Sequence, residues 1–152
     1  YIERDLLQWS GVSSTTMLRI WTMLAHLNGQ VANYSQLSNS LGVSSNSVKN
    51  YCELLANTFM IHMIPPFLPN IGKRLVKSPK IYLADHGVLL SLLGIETYDE
   101  LLGHPIFGYH WESVVLSQIM ALFPRANISH YRTSHGNEID FVVEIRGEII
   151  GI

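Results

Sequence analysis

Residues 131–152 read YRTSHGNEIDFVVEIRGEIIGI, and this stretch has the alternating pattern of a β-hairpin. Along the first predicted strand, acidic and apolar side chains fall on opposite sides, as the two-residue period of a strand requires. The acidic side holds Glu138, Asp140 and Glu144, and the apolar side holds Ile139, Phe141, Val143 and Ile145. Gly147 permits a tight turn before a second strand begins at Glu148. The pattern predicts a hairpin with one acidic face, and we expect its last strand to continue beyond Ile152.

The composition indicates a folded globular chain, with 47% hydrophobic and 14% charged residues among 152. Residues 1–95 hold seven basic and four acidic residues, a net charge of +3, whereas residues 96–152 hold three and eight, a net charge of −5. This asymmetry predicts different roles for the two halves. Cys52 is the single cysteine, which excludes an internal disulfide and fits a cytoplasmic protein. No apolar run reaches the roughly 18 residues of a membrane helix, so we expect no membrane contact.

The N-terminal half has the pattern of a helix-turn-helix. A first helix is predicted to begin at Ser13 or Ser14 and end near Asn28-Gly29. A short helix over Tyr34–Leu41 follows, then Gly42 at a position that favours a left-handed residue, then a longer helix over residues 46–58. Two strands are predicted at residues 59–64 and 80–84, joined by a long loop. Three helices and such a hairpin predict a winged helix.

The loop before the second strand is rich in basic residues. It carries Lys73, Arg74, Lys77 and Lys80, with no acidic residue between Ile71 and Lys80. Cationic loops of this kind contact DNA phosphates, and the polar start of the second helix adds Ser45, Asn46 and Lys49. Without an arginine in that helix, we expect phosphate and shape contacts more than base recognition. The alternatives are a solvated loop, a loop docked on an acidic neighbour, or a helix-turn-helix used for protein contacts.

Gly103-His104-Pro105 is predicted to separate a domain at 1–103 from a second one at 104–152. The second domain begins with a predicted helix over residues 108–122, whose apolar side is Trp111, Val115, Ile119 and Leu122. Glu112 lies near the start of this helix, on or beside the buried side. An acid there also has a plainer interpretation, because carboxylates in a first helical turn stabilise the helix dipole. The predicted fold class is α+β.

The order of helix with Glu112, strand, turn and strand with Asp140 resembles the PD-(D/E)xK nuclease superfamily, and the second domain is predicted to be a truncated restriction-endonuclease-like α/β domain. The resemblance implies that Glu112 and Asp140 are ligands of a catalytic Mg²⁺, supported by Glu138 and Arg132. The third-strand acid and lysine of that superfamily are expected beyond Ile152. We therefore expect Asp140 of this chain to be unpaired or weakly metal-binding.

The whole chain is similar to the uncharacterised C-terminal region of a family of bacterial and archaeal AAA-type ATPases. The matching segments are Tyr1-Ile2-Glu3-Arg4-Asp5, GVSSNSVKNY (42–51), Pro65-Pro66-Phe67 with Asn70, KRLVKSPKIYLAD (73–85), Gly108-Tyr109-His110-Trp111-Glu112, Tyr131-Arg132-Thr133 and EIDFVVE (138–144). The resemblance implies an upstream domain that binds ATP, since this chain has no phosphate-binding glycine loop. The predicted function is DNA binding by a nuclease-like region of such an ATPase. The alternative is a protein-interaction or homo-oligomerisation module with an inactive nuclease fold.

Overall fold

The computed structural model describes residues 13–68 and 76–152, and in these ranges the chain is a mixed α+β protein with six helices and five strands. The elements, in chain order, are α1 (Ser14–His26), α2 (Tyr34–Leu41), α3 (Ser45–Asn57), β1 (Ile61–Ile64), β2 (Lys80–Leu83), α4 (His86–Leu92), α5 (Tyr98–Gly103), α6 (Phe107–Leu122), β3 (Asn127–Arg132), β4 (Glu138–Ile145) and β5 (Glu148–Gly151). None of the helices in the described ranges has the length and apolar character needed to cross a membrane.

Helices α1, α2 and α3 each begin directly after a residue whose side chain caps the first turn. The side chains of Ser13, Asn33 and Ser44 each accept a hydrogen bond from a backbone N–H in the first turn of the helix that follows. Gly42 ends α2 with φ of 69°, a left-handed conformation that costs least at glycine. The predicted short helix, turn and longer helix are thus confirmed as elements.

These helices pack with one face of the β1–β2 hairpin to form a helical core. Its largest fully buried members are Met17, Ile20, Leu24, Leu37, Leu55, Ile61, Ile81, Leu83 and Leu89. Burial of apolar surface of this kind stabilises the fold by about 25 cal/mol per Å². The predicted pairing of the two strands is confirmed, because β1 and β2 are antiparallel with Ile61 opposite Leu83 and Ile64 opposite Lys80.

Strands β3, β4 and β5 form an antiparallel sheet in sequence order, which confirms the predicted C-terminal hairpin. Phe141 and Val143 are buried on its apolar side, as the alternation predicts. The backbone of residues 65–67 runs beside β3: Phe67 N–H donates to the His130 carbonyl at 2.6 Å and His130 N–H donates to the Pro65 carbonyl at 2.9 Å. Backbone hydrogen bonds therefore join the segment after β1 to the three-stranded sheet.

A second core, the sheet core, contains side chains from both predicted domains. Its members are Ile64, Tyr82, Leu116, Ile119, Phe141 and Val143. The Tyr82 and Phe141 rings lie 5.7 Å apart between centroids. Side chains from before and after the segment that joins α5 to α6 thus pack together in one core.

Asn28 and Gly29 hold α6 against the helical core. The buried Asn28 amide donates to Ser113 Oγ at 2.8 Å and to the Tyr109 carbonyl at 3.3 Å, while its oxygen accepts from Leu83 N–H at 2.8 Å. The buried side of α6 contains Ser113, Leu116 and Ile119. The prediction that Trp111 and Leu122 lie on the buried side is wrong, since they are 63% and 70% exposed. Glu112, the neighbour of Ser113 in sequence, faces β2 and accepts a hydrogen bond from the Tyr82 hydroxyl.

Candidate functional site

The candidate site is built around Lys80, the first residue of β2. Alternation along this strand sends Ile81 and Leu83 into the helical core and Tyr82 into the sheet core. Lys80 lies on the same side as Tyr82 and is only 1% exposed. A buried ammonium group requires partners of opposite charge, since removing it from water is costly.

Three carboxylates supply those partners. Lys80 Nζ lies 2.7 Å from Asp140 Oδ1 and 2.7 Å from Glu138 Oε1, both on β4. Glu112 Oε2, on α6, is 3.5 Å from the same nitrogen. We call Glu112, Glu138 and Asp140 around Lys80 the carboxylate cluster. All four catalytic residues expected from the sequence lie at or beside it, because Arg132 Nη1 is 3.5 Å from Glu138 Oε2.

Tyr82 completes the inner side of the cluster. Its hydroxyl donates to Glu112 Oε2 at 2.8 Å. Burial raises the pKa of Tyr82, and the neighbouring Glu112 carboxylate raises it further. Tyr82 is therefore a hydrogen-bond donor throughout the neutral pH range.

The protonation of Lys80 and Glu112 follows from burial and from their neighbours. Burial lowers the pKa of Lys80, but hydrogen bonds to Asp140 and Glu138 outweigh it, so the net shift is upward. Burial raises the pKa of Glu112, against the opposing effects of the Tyr82 hydrogen bond and the Lys80 charge. Lys80 thus stays charged at neutral pH.

The cluster opens onto a cleft of about 800 Å³. Its polar lining residues are Gln30, Asn33, Gln36, Tyr109, Glu112, Arg132, Glu138 and Asp140. The cleft lies between the turn after α1, the start of α6 and the acidic face of β4. A polar ligand entering it meets the carboxylate cluster directly.

A divalent metal does not fit the cluster as it is arranged. Glu112 and Asp140, the expected Mg²⁺ ligands, both have oxygens within 3.5 Å of the Lys80 ammonium, which holds the central cation position. Within residues 13–68 and 76–152, no group of three or more His, Cys, Asp or Glu side chains has the arrangement of a metal site. The expectation that Asp140 is unpaired is wrong, because its Oδ1 lies 2.7 Å from the Lys80 ammonium.

Of the residues expected to bind nucleic acid, four are at least partly exposed, Lys80 is buried, and two lie outside the described residues. Asn46, Lys49 and Lys77 are exposed and Ser45 is half-buried. Ser45 and Lys49 line a groove of about 510 Å³ together with Ser78, which places the start of α3 beside the chain that enters β2. Lys49 also lies over the Tyr34 ring, with Nζ 5.5 Å from its centroid.

Lys80 differs from the other described residues expected to bind nucleic acid, because it is buried. Strand pairing begins at Lys80, as predicted, but the expectation that its side chain is exposed to DNA is wrong, because Lys80 is 1% exposed and its ammonium lies in the carboxylate cluster. Lys73 and Arg74 lie outside the described residues.

Sequence reasoning missed the pairing of Lys80 with the acidic strand, and it missed Tyr82 and Asn28 altogether. The signal for Lys80 and Tyr82 is their two-residue spacing in KIYL, which places both on the side of β2 opposite Ile81 and Leu83. No local signal marks Asn28, because its partners Leu83, Tyr109 and Ser113 are distant in sequence.

Comparison with protein-family models identifies residues 1–99 as a match to the family described as Domain of unknown function (DUF8612). The chain belongs to this family. Residues 107–152 of this DUF8612 chain match a second model, Domain of unknown function (DUF4143). The interval between the two matches, residues 100–106, contains most of α5 and the connection to α6.

Curated relatives include the uncharacterised protein Rv2008c of Mycobacterium tuberculosis and the uncharacterised protein Mb2031c of Mycobacterium bovis. Each is 38% identical to the DUF8612 chain over 152 residues, which is 99% of this chain and 34% of the relative. The chain therefore spans about a third of the length of these relatives. No solved structure matches it.

Proposed function

We propose that the chain is a DNA-binding region of an AAA-type ATPase, in which α2 and α3 act as a helix-turn-helix and the β1–β2 hairpin acts as the wing of a winged helix. The observation that carries the proposal is the shared groove between the start of α3 and the chain entering β2. Exposed Lys49 and Lys77 lie on the two segments that border this groove. A phosphate backbone in the groove would meet Lys49 in its lining, and Lys77 adds positive charge one residue before Ser78 of the same lining.

The chemistry of these side chains favours phosphate contacts over base recognition. Lysine is a flexible point charge without the planar fork with which arginine binds guanine. Ser45 and Asn46, at the first turn of α3, add neutral hydrogen-bonding groups that suit phosphate oxygens. We expect binding to duplex DNA with strong salt dependence and weak sequence preference.

The second part of the chain supports a nuclease-like interpretation only at the level of element order and residue placement. Helix α6 carries Glu112 and strand β4 carries Asp140, as in the superfamily that the sequence resembles. Backbone hydrogen bonds pair Ile152 with Phe141, so in a longer protein the residues after Ile152 would run beside Asp140. Mg²⁺-dependent cleavage and ATP binding by an upstream domain are predictions about such a longer protein.

The test is duplex binding measured by fluorescence anisotropy at several salt concentrations. In the double variant Lys49→Ala/Lys77→Ala we expect weaker binding and a salt slope reduced by about one unit for each lost phosphate contact. Arg125→Ala removes one exposed positive charge from the connection between α6 and β3 and serves as the control, with unchanged affinity. Equal binding by the wild type and the double variant would refute the proposal.

A protein-docking function is the second candidate, and the observation in its favour is exposed apolar surface. Trp111, Leu122 and Tyr98 are 63%, 70% and 69% exposed, which is unusual for large apolar side chains. Sedimentation with and without DNA distinguishes the two functions. A docking module would self-associate or remain monomeric regardless of DNA, whereas a DNA-binding region would co-sediment with the duplex.

A further inference from the structure

The carboxylate cluster has the composition of a divalent-cation site, yet a side chain occupies its centre. Glu112, Glu138 and Asp140 come from α6 and β4, and their oxygens converge on the Lys80 nitrogen at 3.5, 2.7 and 2.7 Å. A lysine ammonium has three N–H donors, which matches the number of carboxylates around it. The nitrogen donates hydrogen bonds to Asp140 Oδ1 at 2.7 Å and to Glu112 Oε2 at 3.5 Å, and it forms an ion pair with Glu138.

We propose that the ammonium group of Lys80 takes the place of a divalent cation in this cluster, so that the protein holds its three carboxylates together without a metal ion. Lys80 is then a positioning residue: it fixes where the acidic side chains of α6 and β4 point into the cleft. The proposal concerns the acidic cluster alone and stands or falls independently of DNA binding.

The first support is the geometry of competition. Mg²⁺ and similar hard cations bind carboxylate oxygens at about 2.0–2.6 Å. A cation at that distance from Asp140 and Glu138 would share the same oxygens with the ammonium, which is already 2.7 Å from each. Two positive charges so close together repel each other strongly in a partly buried site. Only one of them can occupy the cluster at a time.

The second support is the way in which the backbone holds Lys80. Lys80 pairs with Ile64 of β1 on one side and with Val31 on the other. The next residue, Ile81, donates its N–H to the Gln30 carbonyl at 3.2 Å. Because β2 is held on both edges, the side chain of Lys80 is presented to the cluster by a rigid element. A metal could enter only if this side chain moved out into the cleft.

The third support is the difference in burial between the lysine and its partners. The Lys80 side chain is 2% exposed, whereas those of Glu112, Glu138 and Asp140 are 20%, 29% and 43% exposed. The positive charge thus lies behind the carboxylates, and the carboxylates face the cleft. This arrangement keeps the cleft acidic and leaves the carboxylate oxygens accessible to a polar ligand.

The experiment measures Mn²⁺ binding by the intact chain, with free Mn²⁺ followed by electron paramagnetic resonance in the absence of DNA. We expect the wild type to leave the Mn²⁺ signal unchanged. In Lys80→Met the cluster loses its internal cation, and we expect Mn²⁺ to bind at least about tenfold more tightly, which corresponds to about 1.4 kcal/mol. Adding Asp140→Asn to Lys80→Met should abolish that binding.

Further variants cover the case in which Lys80→Met fails to fold because its three carboxylates repel one another. Lys80→Met/Glu138→Gln removes one of the negative charges and still leaves Glu112 and Asp140 as ligands. Lys80→Arg keeps a positive charge, so it should remain free of Mn²⁺ like the wild type. Circular dichroism establishes which variants are folded.

Two results would overturn the proposal. One is Mn²⁺ binding by the wild type that Asp140→Asn removes, since Lys80 and the metal would then coexist in the cluster. The other is a folded Lys80→Met variant that binds no Mn²⁺ or, where Lys80→Met does not fold, a folded Lys80→Met/Glu138→Gln variant that binds none, since the cluster would then not be a cation position. Loss of DNA binding in Lys49→Ala/Lys77→Ala changes neither outcome.

Discussion

At the scale of single residues, Gly29 is where the turn after α1 meets α6 most closely. Its φ is +77°, and a Cβ atom at this position would lie 2.7 Å from Tyr109 Cδ1. Its N–H donates to the Ile81 carbonyl at 2.7 Å, so the backbone cannot easily shift away. A side chain at residue 29 would therefore disturb both the turn and the contact with α6.

Gly29→Ala is expected to destabilise the protein more than Gly42→Ala. Both substitutions place a Cβ on left-handed backbone, at a cost of about 1–2 kcal/mol. Gly42 has no other atom within 4 Å of its Cβ position, whereas Gly29→Ala also crowds Tyr109, which adds about 1–3 kcal/mol. Urea unfolding measures the two free energies of unfolding. Equal losses would show that Tyr109 moves aside without cost.

At the scale of elements, the β1–β2 hairpin contributes side chains to both cores, because one of its faces packs in the helical core and the other packs in the sheet core. Ile61 and Ile81 enter the helical core, and Ile64 and Tyr82 enter the sheet core. His62 lies opposite Tyr82 in the hairpin and is half-buried. Burial lowers the pKa of His62 below the ordinary value of 6.5.

This lowered pKa predicts a loss of stability on acidification. Below pH 6.5 the unfolded chain takes up a proton at residue 62 before the folded chain does, so the contribution of neutral His62 is lost as the pH falls through its folded pKa. We expect His62→Gln to reduce the fall in free energy of unfolding between neutral and mildly acidic pH. His135→Gln, in the exposed turn between β3 and β4, is the control. An unchanged pH dependence in His62→Gln would contradict the prediction.

At the scale of the whole molecule, the sheet core and the carboxylate cluster both join the two stretches that match different family models. Tyr82 packs on Phe141, and Lys80 binds Glu138 and Asp140. Contacts of this kind couple the unfolding of the parts that make them. The described residues are thus expected to unfold in one cooperative transition.

Phe141→Ala tests this coupling. Phe141 is 1% exposed, and its truncation should destabilise the protein by about 3–5 kcal/mol. Trp21, buried in the helical core, reports on the other end of the molecule when Trp9 and Trp111 are replaced by phenylalanine. We expect the Trp21 fluorescence transition in urea to shift as far as the circular dichroism transition.

Leu122→Ala is the matched control for Phe141→Ala, because Leu122 is 70% exposed and its truncation should change stability by about 0.5 kcal/mol or less. A Trp21 transition that stays in place in Phe141→Ala would show two independently unfolding units. The predicted boundary between residues 103 and 104 would then mark a true separation in stability.

Local pattern was sufficient for most of the elements. Ser13 marks a helix start, Gly42 marks a helix end, and the alternation from Glu138 to Ile145 marks a strand with an acidic face. These signals act between residues a few positions apart, so they can be read from the chain without a tertiary structure. The resemblance to the nuclease superfamily, and not the local pattern, grouped Glu112, Glu138, Asp140 and Arg132 in one hypothesis.

By itself, then, the sequence determined the helices, the strands and the acidic character of one sheet face, because capping and periodicity are local. The tertiary structure decided what that acidic face binds. Lys80 is 60 residues away from Asp140 along the chain, yet the pairing of β1 with β2 and the packing of Tyr82 on Phe141 bring its ammonium into the cluster. Charge pairing over that separation depends on how the two cores meet, and no local pattern carries that information.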